Sequence, residues 1–297
     1  MKLFDCTLYY DEDLILETRL NILNKYFDKF IICEAKYTHS GREKKLNFNI
    51  NNFKEFKNKI IYLVQDSEPS GLNYSNIEKK ENFKTMRPNA VLRIAHQRNK
   101  LLDGLTEADN NDIIFYSDND EIPDLSEFNF KNFKKKILIF EQKLFYYKFN
   151  LLCDRIFWYG SRAIKKKDLI NFEWFRQIKP KKYLLYRVDT LFKSNKYIDL
   201  KIIKNGGWHF TRVLSPEEIH KKELDAEHHD EYRLSKKDPA KIKDLIKRRV
   251  IDHNHLVDKT KDKYRDEFKL KKIPNKELPD FISNNIGKYK DFLDLED

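Results

Sequence analysis

Short apolar runs alternate with longer amphipathic ones along the first 117 residues. Residues 3–10 (LFDCTLYY) have the composition of a strand. The following run, DEDLILETRLNILNKYF, sets Leu16, Leu20, Leu23 and Phe27 on one stripe of a helix. FIICEA (30–35) and KIIYLV (59–64) are apolar runs of strand length, as suits strands covered on both faces of a sheet. RPNAVLRIAHQRNKLLDGL predicts a helix with Pro88 in its first turn and a stop near Gly104. DIIFYS (112–117) then supplies the next strand. Strands and helices in this alternation predict an α/β domain with a mostly parallel, Rossmann-like sheet.

Beyond residue 130 the pattern changes twice. KKILIFEQKLFYYKFN reads as one or two strands, and aromatic residues are frequent to about residue 200. From Ser215 onward the sequence is charged and helix-like, and SPEE (215–218) reads as a helix start with Ser215 as N-cap and Pro216 in the first position. With no internal repeat and no Gly/Ser linker, the division is a catalytic-sized domain over 1–214 and a helical C-terminal extension, 215–297, packed on it.

Composition narrows the class. A chain of 297 residues with 40% hydrophobic and 14% aromatic residues can bury a sizeable core, which excludes a disordered or fibrous protein. The 59 Lys and Arg exceed the 48 Asp and Glu, giving +11, which favours anionic partners. Abundant Lys, Asn, Ile and Phe also fit AT-rich coding bias, with no function for the charge. Cys6, Cys33 and Cys153 are widely spaced and outside any CxxC motif, so neither disulfides nor zinc are expected. No stretch approaches the roughly 18 apolar residues of a spanning helix. The expectation is a cytoplasmic protein, able to associate peripherally with the inner face of a membrane.

The strongest chemical signal is FYSDNDEIPD (115–124). A buried strand runs directly into Asp118, Asp120, Glu121 and Asp124, with Glu127 close behind. In an open parallel sheet, ligands bind beyond the carboxyl ends of strands. D-x-D spacing in extended geometry turns Asp118 and Asp120 to one side. Two carboxylates so close repel unless a cation lies between them, and all-oxygen ligation suits Mg²⁺ or Mn²⁺. A solvated turn punctuated by Pro123 is the plainer alternative.

FYSDNDEIP, together with FDCTLYYDEDLILETRLN, FIICEAKYTHSGREKKLNF and NGGWHF, resembles glycosyltransferase family 17. The similarity runs in order from about residue 3 to residue 230. It implies a GT-A type fold, that is, a nucleotide-sugar-binding α/β sheet with a DxD motif and a divalent metal. It also implies an inverting transfer of GlcNAc, or a related sugar, from a UDP-sugar to a hydroxyl of a glycan or lipid-linked saccharide acceptor. The transmembrane anchor of the animal enzymes is not expected here, which leaves acceptor and sugar open.

Several other residues join this constellation. Arg98 falls near the centre of the stripe formed by Val91, Ile94, Ala95, Leu101, Leu102 and Leu105. A guanidinium cannot shed its charge in a core and needs an anion, either a core carboxylate or the donor's diphosphate with the Asp pair. Gly206 and Gly207 of NGGWHF permit backbone conformations closed to other residues. His209 is a satisfied core residue or, by the resemblance, a third metal ligand beside Asp118 and Asp120. Trp208 stacks on a sugar or fills the core. Glu34 closes a strand and in such folds approaches uridine or ribose, with THSG (38–41) beside the same crevice. Lys44 and Lys45 read as solvated. The histidines of AEHHDEY and IDHNH read as surface.

The combined reading is a metal-dependent glycosyltransferase in which Asp120 acts at the reacting centre and a carboxylate takes the acceptor proton. The sequence does not single out that base; Glu173, beside Trp174, Asp154 and Asp189 are the carboxylates to consider. Two other classes stay open. A nucleic-acid-binding protein would use the positive charge, but no recognised motif accompanies it. A glycoside hydrolase needs two carboxylates about 5 to 9 Å apart, wider than Asp118 and Asp120 allow.

Overall fold

The computed structural model describes residues 1–74, 82–130, 135–181, 196, 199–255 and 266–295. Its centre is a sheet in the order β3-β2-β1-β4-β7-β6-β9-β5. The strands β1 (Leu3–Tyr9), β2 (Lys29–Ala35), β3 (Ile60–Gln65) and β4 (Ile113–Tyr116) form a parallel half. The other half is mixed. The long β7 (Leu151–Lys165) lies antiparallel to β4 and to β6 (Ile137–Tyr146). β6 runs parallel to β8 (Leu200–Ile203) and β9 (Gly207–Thr211), and β9 holds the short β5 (Glu121–Pro123) antiparallel at the edge. The fold is thus α/β with a Rossmann-like, mostly parallel sheet.

Each face of the sheet carries its own core. One contains Leu16, Leu20 and Leu23 of α1 (Asp13–Leu23) with Phe27, Phe30, Phe115, Phe140 and Phe210. The other contains Phe4, Cys6, Ile31, Cys33, Ile114, Tyr116 and Ile139 under Leu101, Phe172 and Phe175. Phe4 and Cys6 face one way along β1 and Leu3 and Tyr9 the other, as strand alternation requires. All three cysteines are free and buried.

Helix α2 (Phe83–Lys100) starts earlier than Pro88 predicts. Asn82 caps it: its side chain accepts the backbone N–H of Lys84 and Thr85, and the Thr85 hydroxyl returns the bond to the Asn82 N–H. Pro88 therefore sits inside the helix and forfeits one backbone hydrogen bond. The buried face of α2 is also more polar than the sequence stripe implies. Val91 is exposed, whereas Asn89, Arg93, Gln97 and Arg98 are buried.

The C-terminal helices α4 (Pro216–Asp225), α5 (His229–Ser235) and α6 (Pro239–Lys247) pack together, and α5 contacts α2. Ser215 caps α4 in a capping box with Glu218, as the SPEE motif predicts. Farther along, Lys271 and Lys272 pair with Leu152 and Leu151 of β7, so the C-terminal segment enters the main sheet. Tyr289 is fully buried against Phe149, its hydroxyl 2.9 Å from that of Thr18.

Candidate active site

A cavity of about 400 Å³ opens where β1, β2 and β4 end. Tyr9 and Tyr10 line it from the end of β1, Ala35 from β2 and Asp118 from just beyond β4, which is where α/β sheets place ligands. Gln97 and Arg98 form part of one wall, and Lys222, Asp225 and Glu227 close it from the C-terminal segment.

Asp118 is held by cations and a phenol. Its Oδ1 accepts the Tyr116 hydroxyl at 2.8 Å and lies 3.9 Å from Arg98, while Oδ2 accepts Arg176 Nη2 at 2.9 Å. Burial alone would raise the Asp118 carboxyl, but Arg176 and Arg98 outweigh it and hold it well below the usual carboxylate range. Arg98 in turn donates to Glu173 Oε2 at 2.8 Å and to the Tyr116 hydroxyl at 3.0 Å. Arg98 therefore bridges carboxylates, as the first reading expects, and also lines the cavity.

Glu121 fixes the turn that presents this pair. It is fully buried and accepts the backbone N–H of Asp118 at 3.0 Å, Trp158 Nε1 at 2.6 Å and Arg176 at 3.1 Å. Its carboxyl occupies the space over Gly160, where a Cβ would overlap it. Arg176 is aimed from α3 (Phe172–Gln177), whose last turn is tied to β7 by Arg162: that guanidinium donates to the carbonyls of Phe175 at 2.8 Å and Ile178 at 2.9 Å. Below the turn, Arg19 pairs with Asp5 in full burial and donates to the Glu121 carbonyl at 2.6 Å.

Asp120 lines the same cavity but has a different partner. Its Oδ1 lies 3.5 Å from His209 Nε2, while His209 Nδ1 is buried without a hydrogen-bond partner. Burial would lower the imidazole pKa, but Asp120 outweighs it and raises the value above the ordinary 6.5. The ring of Trp158 lies 4.8 Å from that of His209. Among the described residues no group of three His, Cys, Asp or Glu forms a ready metal cage. The donor set still suits a hard cation that keeps open positions, with Asp120 offering oxygen and His209 nitrogen. Asp118, its oxygens engaged by Tyr116 and Arg176, acts in this arrangement as an ion-pair acceptor.

Of the residues singled out from sequence, Arg98, Asp118, Asp120 and His209 converge on the cavity, and Thr38 and His39 of THSG line it as well. Glu173 joins through Arg98. Glu34 does not reach it: wholly buried, it accepts Lys44 Nζ, the backbone N–H of Asn47 and Phe48, and the Tyr62 hydroxyl. Lys44, expected to be solvated, is therefore buried in an ion pair. Trp208 alternates with His209 along β9 and lines a separate recess with Tyr26 and Pro123. Asp154 is exposed on β7, away from the cavity, and Asp189 lies outside the described residues. His229, read as surface, is buried, and His255 is partly covered against Tyr146 and Trp158. Sequence reasoning missed Glu12, Glu121, Trp158, Arg176 and Lys222. Of these, Glu121 was visible as the next carboxylate of the acidic stretch.

The family model for glycosyltransferase family 17 matches residues 1–185, more than half of the chain. The chain belongs to that family. The family 17 segment thus contains Asp118, Asp120 and the arginines that hold Asp118, whereas His209 and Lys222 lie beyond it. No curated protein matches the chain. Among solved structures, similarity extends to a Francisella tularensis 2-C-methyl-D-erythritol 4-phosphate cytidylyltransferase (11% identity, 56% of this chain and 74% of that one, TM-score 0.27). HddC from Yersinia pseudotuberculosis aligns at 8% identity over 69% of this chain and 92% of its own, with TM-score 0.33. The inositol-1-phosphate CTP transferase from T. maritima aligns at 11% over 75% and 96%, with TM-score 0.32.

Proposed function

We propose that this family 17 glycosyltransferase is a metal-dependent, inverting enzyme of GT-A type. On this reading it transfers GlcNAc, or a related sugar, from a UDP-sugar to a hydroxyl of a glycan or lipid-linked saccharide. The observation that carries the reading is the convergence of Asp118, Asp120 and His209 on one cavity at the carboxyl ends of the parallel strands.

Asp120 and His209 are the residues that would hold Mn²⁺ or Mg²⁺, and the bound cation would neutralise charge on the leaving diphosphate. The rest of the chemistry belongs to the chain. Asp118, kept ionised by Arg98 and Arg176, would accept hydrogen bonds from donor hydroxyls. Trp158 offers an aromatic face in the cavity, the role foreseen for Trp208. Of the carboxylates considered as acceptor base, Glu173, which is not itself a lining residue, is the one joined to the cavity's charge network through Arg98, and it is retained for that role. No helix among the described residues is long and apolar enough to cross a membrane. Peripheral association and a cytoplasmic site of action belong to the proposal.

The test is calorimetric titration with UDP, with Mn²⁺ and after chelation. Metal-dependent binding is expected, because Asp120 and its acidic neighbours repel an uncompensated diphosphate. Equal affinity in both conditions would remove the metal from the reading.

A further inference from the structure

Lys222 is the cavity's cation from the C-terminal segment. Arg98 is engaged with Glu173 and Tyr116, and Arg176 with Asp118 and Glu121. Lys44 is engaged with Glu34. Lys222 lines the cavity from α4 and, among the described residues, has one ion-pair partner: Glu12 Oε1 at 2.5 Å. An ammonium carries three donors, so a single carboxylate oxygen leaves capacity for a further acceptor.

The surroundings keep this cation in place. Glu12 is buried, and its second oxygen accepts the backbone N–H of Tyr10 at 3.2 Å and of Asp11 at 3.3 Å, which fixes the carboxylate. One turn along α4, Asp225 accepts the Tyr10 hydroxyl and the Arg42 guanidinium, and its carbonyl accepts the Ser40 N–H at 3.2 Å. Ile219 is buried on the same helix face. Burial disfavours the ammonium, but Glu12 and Asp120 outweigh that and keep it charged.

We infer that Lys222 is the diphosphate-binding cation of the donor site, supplied by the C-terminal segment beyond the stretch that matches the family. The inference rests on the nucleotide-sugar reading above. A UDP moiety entering the cavity meets Asp118, Asp120, Glu12 and Glu121. Arg176 keeps a free Nε but is committed to Asp118 and Glu121 through Nη2, whereas Lys222 has, among the described residues, a single carboxylate oxygen as ion-pair partner and donor capacity left to meet the terminal phosphate. The C-terminal helices then complete the donor site. A lysine is suited to such a contact as a compact, mobile point charge.

The experiment compares UDP with UMP, which lacks the terminal phosphate, by calorimetry on the full chain at fixed Mn²⁺ and ionic strength. Lys222→Met should weaken UDP at least tenfold and leave UMP within twofold, and Lys222→Arg should restore most of the difference. Glu12→Gln combined with Lys222→Met leaves no unpaired buried carboxylate, so it separates a charge effect from a folding defect. The same selective loss is expected there. Unchanged UDP affinity in both variants, or equal losses of UDP and UMP, would overturn the assignment while leaving the donor reading intact. A wild-type protein that binds neither nucleotide would overturn both.

Discussion

Arg98→Leu removes a guanidinium that is 5% exposed and serves both the structure and the site. Three contacts go with it: Glu173 at 2.8 Å, the Tyr116 hydroxyl at 3.0 Å and the longer approach to Asp118 at 3.9 Å. Breaking a fully buried ion pair from one side costs about 3–5 kcal/mol. Here the cost should be smaller. Asp118 keeps Arg176 and Tyr116, Glu173 keeps Gln177 at 2.9 Å, and the Glu173 side chain is already 20% exposed, so water can take part of the load. About 2–3 kcal/mol is a reasonable net loss. At roughly 2–4 °C per kcal/mol for a chain of this size class, the melting temperature should fall by about 4–12 °C. Donor affinity should fall as well, because Asp118 loses one of the two arginines that orient it. Differential scanning calorimetry with and without UDP and Mn²⁺ reads both effects. A melting temperature and UDP affinity both equal to wild type would refute the bridging role and the cavity role together.

Asp120→Asn should abolish metal-dependent UDP binding and turnover, since it removes a full negative charge, while His209→Ala should retain measurable activity because water can replace a neutral ligand; initial rates of UDP release from folded variants decide it, and a wild-type rate in Asp120→Asn would reduce the acidic stretch to a turn. The acid limb of stability should move in Arg176→Leu. The Asp118 carboxyl is depressed in the folded state, so its contribution is complete above the unfolded value near 3.8 and fades as pH falls through the folded value. Without Arg176 the folded value rises toward the unfolded one, so less stability is lost between them: melting temperatures recorded from pH 2 to 7 should fall less steeply below about pH 4 than in the wild type, and superimposable acid limbs would contradict the pairing.

How far the sequence reaches can be argued from particular elements. The parallel half was legible because β1, β2 and β4 are short apolar runs buried on both faces, with the apolar edge strand β3 partly covered beside them, and because α1 has a continuous stripe in Leu16, Leu20 and Leu23. β7 was hidden. It spans 15 residues with register shifts opposite β6, and its side chains pass from core to solvent to cavity, so no single period appears. The start of α2 was missed because Pro88 drew attention from the weaker Asn82–Thr85 capping signal. In the site, Asp118, Asp120 and His209 were readable from motif and resemblance, and Arg98 as a charge within an apolar stripe. Trp158, Arg176 and Lys222 were not, because their roles come from contacts across 37 or more positions of sequence, such as Trp158 to Glu121. Glu34 misled for the opposite reason: a strand-end carboxylate resembles a ligand contact until its four donors from the chain are known.

The most direct measurement is UDP release by the purified full-length protein from a panel of UDP-sugars, UDP-GlcNAc first, with Mn²⁺ and after chelation with EDTA. Slow hydrolysis of at least one UDP-sugar that requires Mn²⁺, and that is lost in Asp120→Asn, is the predicted result. Turnover indifferent to EDTA, or no turnover of any UDP-sugar by a protein that is folded and metal-loaded, would contradict the assignment of this cavity as a metal-dependent sugar-donor site.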